Sequence, residues 1–257
     1  MTPPLIALTT DFGVSSPYVA EMKAVILSAL PTARIVDVTH AVPPQSIRHA
    51  EVVLRATAFA FPLGTVHVVV VDPGVGTARR GIAVESRGLR FVGPDNGVLG
   101  IALAAPEARA VELDEPGFFR HPIAPTFHGR DIFAPVAAEL AAGLCLSDVG
   151  SAIDDALPSA LPKPIHADGQ WRGEVLAADR FGNLTTTIPG DALKAAAWVR
   201  VGERVAQRVM TYGEASHGEL LALVGSDGYV EIAVRDGSAA AVFNIDSGAP
   251  VVLEAKA

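Results

Sequence analysis

Val68-Val69-Val70-Val71-Asp72-Pro73-Gly74-Val75-Gly76-Thr77-Ala78-Arg79-Arg80 is an apolar, β-branched run that ends on a carboxylate, a glycine turn and two arginines. A short run of this kind bounded by Pro and Gly reads as a buried strand, so Asp72 is expected at its carboxyl end, where open α/β sheets collect their ligands. Upstream, Leu5-Ile6-Ala7-Leu8-Thr9-Thr10-Asp11 repeats the pattern, a strand ending on an acid. Ser16-Pro17 then has the composition of an N-cap followed by proline at the first helical position, with Val19, Met22, Val25, Ile26 and Ala29 at helical spacing until Pro31. A second strand is expected over 33–40 and a second helix over 46–61. Strand, helix, strand, helix, strand predicts parallel strands joined by right-handed crossovers, with Asp11 and Asp72 opening into one crevice.

Downstream of Arg80, residues 81–86 and 89–93 around Arg87-Gly88 read as a hairpin. Pro94-Asp95-Asn96-Gly97 has the composition of an ordinary turn, followed by a short apolar helix over 98–104, a strand over 110–113 and a helix over 131–142. Residues 157–168, rich in Pro and closing on Asp168-Gly169, read as a linker. Beyond it come short strand-like runs at 171–177, 184–188, 198–201, 207–211, 220–224, 229–234 and 251–254, separated by Gly, Asp and Ser turns. Such spacing favours a small barrel or sandwich. The expectation is an α/β N-terminal domain with a mainly parallel central sheet over 1–164 and a smaller all-β, barrel-like domain over 165–257.

With 257 residues, half of them hydrophobic, the chain can bury a substantial core. A formal charge of −8 lacks the basic footprint of a general nucleic-acid binder, and a small-molecule ligand fits better. The single cysteine, Cys145 in Leu144-Cys145-Leu146, permits no internal disulfide and reads as a buried small hydrophobe. No basic leader and no apolar run of membrane-spanning length is found, so a soluble, cytoplasmic protein is expected.

Asp72, Arg79 and His128 form the sharpest candidate catalytic set. A histidine held by a carboxylate has a fixed tautomer and can take a proton at neutral pH, and an arginine beside the same acid would orient it. The plainer reading is a strand-end turn with an Asp–Arg pair and a histidine near a helix start; from the residues alone both stand. Gly74-Val75-Gly76 fails the dinucleotide fingerprint, because the position three beyond Gly76 is Arg79, and no phosphate-loop lysine follows. Asp11 could accept from ribose hydroxyls or merely cap a turn. Asp179-Arg180-Phe181-Gly182-Asn183 joins an acid, an aromatic plane and a carboxamide in one turn, able to grip an aminoacyl or base moiety. His67 alternates within a strand and reads as structural, and the remaining histidines show no metal-ligand spacing. A metal-dependent phosphohydrolase or nucleoside hydrolase using Asp11, Asp72 and Asp95 is the rival enzyme reading, and a non-catalytic nucleoside-binding module the other.

Taken together, Leu8-Thr9-Thr10-Asp11-Phe12-Gly13, Val71-Asp72-Pro73-Gly74-Val75-Gly76-Thr77, Gly93-Pro94-Asp95-Asn96-Gly97, Phe127-His128-Gly129-Arg130-Asp131 and Asp179-Arg180-Phe181-Gly182-Asn183 resemble the S-adenosylmethionine hydroxide adenosyltransferases, water-using relatives of the fluorinases and chlorinases. The resemblance runs through nearly the whole chain. It implies hydrolysis of S-adenosyl-L-methionine (SAM) to adenosine and L-methionine by attack at ribose C5′, without metal or other cofactor. It further implies catalytic roles for Asp72, Arg79 and His128, a ribose contact by Asp11, a pocket wall at Phe127, substrate contacts by Asp179, Phe181, Asn183 and Ser226, and main-chain contacts to adenine around Arg235. A homotrimer with the site shared between subunits is also implied. The halogenating branch has tyrosine where Asp72 stands, threonine at Val75 and serine at Gly129, so water is the expected nucleophile.

Overall fold

In the computed structural model, residues 3–255 are described, and the chain divides into two compact units, Met1–Ala160 and Leu161–Ala257. The first is built on a seven-stranded sheet. Its elements in chain order are β1 (Leu5–Thr10), α1 (Tyr18–Ala29), β2 (Arg34–Thr39), α2 (Ile47–Thr57), β3 (Val66–Val70), β4 (Gly81–Ser86), β5 (Leu89–Pro94), α3 (Gly100–Leu103), β6 (Arg109–Glu112), α4 (Ala134–Ala142) and β7 (Ser151–Ile153). The strand order is β2-β1-β3-β5-β4-β6-β7. β1 runs parallel to β2 and β3, and β3 to β5, while β4 is antiparallel to β5 and β6.

The valine run explains the layering. Residues of a strand alternate between faces, and Val66, Val68 and Val70 enter one core with Met22 and Ile26 of α1 and the apolar α4. Val69 and Val71 enter another with Ala50 and Leu54 of α2 and Ala102 of α3. All five residues of β3 are buried, as a central strand covered on both faces requires. From β1 the chain leaves by α1 to β2 on one side and returns by α2 to β3 on the other. The switch point therefore lies between β1 and β3, with Asp11 and Asp72 just beyond their carboxyl ends.

Local chemistry amends several expected boundaries. Ser46 does cap α2, accepting from the His49 amide at 3.4 Å, but Ser16 does not cap α1. Its hydroxyl instead donates to the Phe12 carbonyl at 2.9 Å, closing the loop after β1, and α1 begins at Tyr18. α2 gives way to a 3-10 turn over Ala58–Ala60, and residues 129–133 form a π-helical turn before α4, so Asp131 precedes the α-helix it was expected to open. The Arg87-Gly88 turn has both φ values positive, 53° and 73°, the tight hairpin form that matches strand twist. Cys145 is exposed rather than buried, because Gly143 ends α4 in the left-handed conformation and Leu146 takes the inward place.

Among the described residues, the second unit is all-β apart from two short α-helices, α5 (Gly190–Ala195) and α6 (Ala239–Phe243), and a 3-10 turn over Tyr212–Glu214. Its strands are β8 (Ile165–Ala167), β9 (Gln170–Ala178), β10 (Leu184–Pro189), β11 (Ala196–Val201), β12 (Arg204–Arg208), β13 (Leu220–Val224), β14 (Tyr229–Val234) and β15 (Pro250–Ala255). The order β10-β14-β13-β12-β11-β15-β9 closes through β9 pairing back onto β10, and β8 adds to the outside of β9. This is the small barrel expected, although the run expected over 207–211 is shifted to Arg204–Arg208 and β8 lies within the stretch read as a linker. The barrel interior is filled by Val175, Leu184, Ile188, Val199, Val230 and Ile232, all fully buried. Among the described residues no helix is long and apolar enough to cross a membrane.

Candidate active site

Continuing the alternation of β3 puts Asp72 on the side of Val68 and Val70, the side covered by α4 and the turn that leads into it. Arg79 meets it there. Arg79 Nε donates to Asp72 Oδ1 at 2.9 Å, and Arg79 Nη2 donates to Asp72 Oδ2. The pair is well shielded, with side chains 11% and 5% exposed. The turn that returns Arg79 to Asp72 is held by Thr77, whose hydroxyl donates to the Gly74 carbonyl at 2.7 Å and accepts from the Arg79 amide at 3.3 Å. Gly76 has φ +76°, and a Cβ there would fall 2.3 Å from the Pro125 carbonyl oxygen, so only glycine lets this turn lie against the segment carrying His128.

Arg79 Nη2 also lies 2.9 Å from His128 Nδ1. A guanidinium can only donate, so Nδ1 is the acceptor and the neutral ring carries its proton on Nε2. Burial, and then the charge of Arg79, hold the His128 imidazole below its ordinary pKa. The carboxylate-held histidine anticipated from sequence is thus corrected: one guanidinium has donors for both acceptors, and it sits between them. Behind it, the Arg79 guanidinium carbon lies 5.2 Å from the Phe133 ring centroid.

Asp72 and His128 line a cavity of about 270 Å³ together with Asp11, Phe12, Gln45, Val75 and Phe127. Asp11 Oδ2 accepts from the Gln45 amide at 2.7 Å, which ties the end of β1 to the loop after β2. Gln45 holds φ at +64°, an uncommon conformation for a residue with a side chain. Phe12, Tyr18 and Phe127 meet edge to face, with centroids 5.2 to 5.7 Å apart, and Arg130 lies over Phe127 at 4.9 Å. Phe12 and Gln45 escaped the sequence reading, since an aromatic after a strand and a loop glutamine carry no distinguishing spacing. A larger groove of about 830 Å³ runs along β4, β6 and β7, where Glu85 pairs with Arg109 and Arg90. The strand-end cavity is the stronger candidate because Asp11, Asp72 and His128 all line it.

Asp95 is not part of that cavity. Its carboxylate is buried and takes Arg80 Nε at 3.0 Å and Arg80 Nη2 at 2.6 Å on one oxygen and the Leu157 amide at 2.8 Å on the other. The segment read as an ordinary turn is therefore a hydrogen-bonding junction. Among the described residues, no three His, Cys, Asp or Glu side chains come together as metal ligands.

In the barrel unit, Asp179 Oδ1 accepts from the amides of Phe181 and Asn183, at 2.8 and 2.9 Å, and Oδ2 from Asn183 Nδ2 at 3.2 Å. The acid shapes its own turn and leaves Phe181 77% exposed. Tyr212 donates to Glu231 Oε1 at 2.5 Å; burial raises the Glu231 carboxyl and pushes the Tyr212 phenol up to about 12, and Asp179 adds charge to both. Ser226 is exposed in the turn between β13 and β14. Arg235 anchors a loop through the Gly213 and Ala215 carbonyls, and its own amide and carbonyl are bonded to Glu219 and Gly218.

Residues 6–150 match the SAM hydroxide adenosyltransferase N-terminal domain, and residues 173–252 match the C-terminal domain of the same family. The chain belongs to the SAM hydroxide adenosyltransferase family. It is 43% identical to an (R)-S-adenosyl-L-methionine hydrolase of Salinispora tropica over 95% of either chain. A conserved protein of Thermotoga maritima, known from its crystal structure, superposes with a TM-score of 0.90 at 39% identity, covering 97% of this chain and 99% of that one. The fluorinase of Actinoplanes sp. is more distant, at 27% identity over 97% of each chain.

Proposed function

We propose that this chain hydrolyses S-adenosyl-L-methionine to adenosine and L-methionine, with water attacking ribose C5′ at the cavity that joins Asp72, Arg79 and His128. The observation that carries the reading is the buried Asp72–Arg79 pair with its hydrogen bond onward to a neutral His128. Water, with a pKa of about 15.7, is a poor nucleophile unless a proton acceptor is set beside it. Asp72 is that acceptor: its lone pairs are not exhausted by Arg79, and it takes the proton as the oxygen–C5′ bond forms. His128, protonated on Nε2, donates to the water oxygen and fixes its orientation. Arg79 holds both partners and balances the carboxylate. The carbon–sulfur bond breaks with its electron pair left on sulfur, so the methionine thioether departs neutral and needs no acid. In-line placement of water against C5′ contributes much of the acceleration.

Asp11 binds the ribose hydroxyls, Phe127 walls the cavity, and Asp179, Phe181, Asn183 and Ser226 serve the methionine and adenine ends, with adenine met by the main chain around Arg235 rather than by Arg235's own amide, which is already bonded. The relatives' name specifies the (R) sulfonium epimer, and that epimer is the substrate we assign here. Residues 1–164 and 165–257 act as the two domains of a cytoplasmic homotrimer. Incubation with each resolved SAM epimer, followed by chromatography for adenosine and methionine, tests the reaction. Release of both products supports it; a different adenosyl product, or none, overturns it. Sedimentation as an active monomer would refute the trimer.

A further inference from the structure

The two residues that flank the catalytic turn are both held by neighbours from one short segment. Val71, the residue before Asp72, has its carbonyl bonded by Asn96 Nδ2 at 2.9 Å. The Asn96 amide cannot flip freely, since its Oδ1 accepts from the Val98 amide at 3.1 Å. Arg80, the residue after Arg79, is held twice by Asp95. The Asp95 amide donates to the Arg80 carbonyl at 2.9 Å, extending the β4–β5 ladder by one step, and the Asp95 carboxylate takes both Nε and Nη2 of Arg80. Consecutive residues in an extended chain point to opposite sides, so an Arg80 fixed on Asp95 sends Arg79 the other way, toward Asp72. Asp95 is in turn made rigid by the Leu157 amide, and Arg80 by Asp155 at 2.7 Å.

We propose that Asp95 and Asn96 are positioning residues for the proposed hydrolysis: Asn96 sets the strand end from which Asp72 projects, and Asp95 sets Arg80 and thereby the direction of Arg79. Neither touches the reacting atoms. A merely structural role would lower stability and leave the turnover of folded enzyme and the environment of His128 unchanged. A positioning role moves both, because His128 is bonded to Arg79 and feels charge from Arg79, Asp72 and Asp131.

The test uses Asp95→Asn, Asn96→Ala and Arg80→Lys in the full-length chain, with two readouts. Steady-state kinetics on SAM should give kcat lower by about 10- to 100-fold, the scale of a misplacement near one ångström, with KM within a few-fold of wild type. Nuclear magnetic resonance of the His128 ring, without substrate, should show its titration moving up toward the ordinary histidine value as Arg79 is released. Wild-type kcat in the folded variants together with an unmoved His128 titration overturns the inference. The kinetic readout rests on the hydrolase reading, whereas the titration does not: if wild-type protein releases no adenosine, the function fails and His128 still decides the positioning. If Asn96→Ala does not fold, Arg80→Lys, which keeps the charge and loses the fork, decides in the same way.

Discussion

Arg79 rests against the face of Phe133, its guanidinium carbon 5.2 Å from the ring centroid, while its donors reach Asp72 and His128. The ring supports the guanidinium from one side while its donors serve both partners. Arg79→Lys keeps the charge but has no fork to bridge an acid and an imidazole, and kcat should fall at least about 100-fold with little change in KM. Phe133→Leu keeps an apolar filling yet removes the ring face. It should cost about 2 kcal/mol of stability, seen in urea denaturation, and lower kcat several-fold.

Asp72→Asn removes the proposed proton acceptor while preserving shape. We expect a loss of about 10²- to 10⁴-fold in kcat with SAM binding, measured by calorimetry, nearly intact. Turnover close to wild type would remove Asp72 from the mechanism.

His128 is held below its ordinary pKa by burial and by Arg79, so it is neutral at pH 7 and becomes protonated only below the usual histidine range. The acid limb of kcat/KM should therefore lie below about pH 6.5. The sign for stability follows the same direction: a depressed folded-state pKa gives stability that is full above the unfolded value and lost as pH falls through the folded one. An acid limb at or above the ordinary value would contradict the Arg79 contact.

His67 makes a second, larger acid sensitivity. It is buried in β3, stacked on Phe91 at 5.1 Å and edge-on to Phe61 at 4.9 Å, and burial holds its pKa down to about 4. Between pH 7 and pH 4 the unfolded chain gains a proton that the folded one refuses, and roughly 3 kcal/mol of stability should be lost. His67→Phe should flatten the dependence of the denaturation midpoint on pH over that window.

Turnover should be unaffected by exhaustive chelation. Asp95, the third acid of the metal-dependent alternative, is committed to Arg80 and the Leu157 amide. Loss of activity restored by a divalent ion would revive that alternative.

What could be read from the residues, and what could not, divides along physical lines. The valine run, the two acid-ended strands and the Arg87-Gly88 hairpin are local patterns whose cause lies within a few residues, and they gave the layered sheet and the place of Asp72. The barrel followed from evenly spaced short runs, although its closure lays β15 against β9, a long-range pairing with no local mark. Asp72, Arg79 and His128 were legible as types. That Arg79 stands between the other two was not, because it depends on how residues 49 apart meet. Asp95 and Asn96 look like any turn until Val71 and Arg80 are seen opposite them. Cys145 misled for a similar reason: its apolar neighbours said nothing of the left-handed Gly143 that turns it outward.

The pairing of β1 with β3, in which Thr10 lies opposite Val70, has one last consequence. Asp11 and Asp72 lie just beyond the ends of adjacent strands whose separation is set by backbone hydrogen bonds at about 4.8 Å. That spacing is a gauge the loops cannot alter. The loop that follows Phe12 can change length and composition, and with it the shape offered to a substrate, while the strand ends that carry the two acids stay where the sheet defines them. Changes of specificity can therefore be sought in the loop after Phe12 without moving the strand ends that carry Asp11 and Asp72.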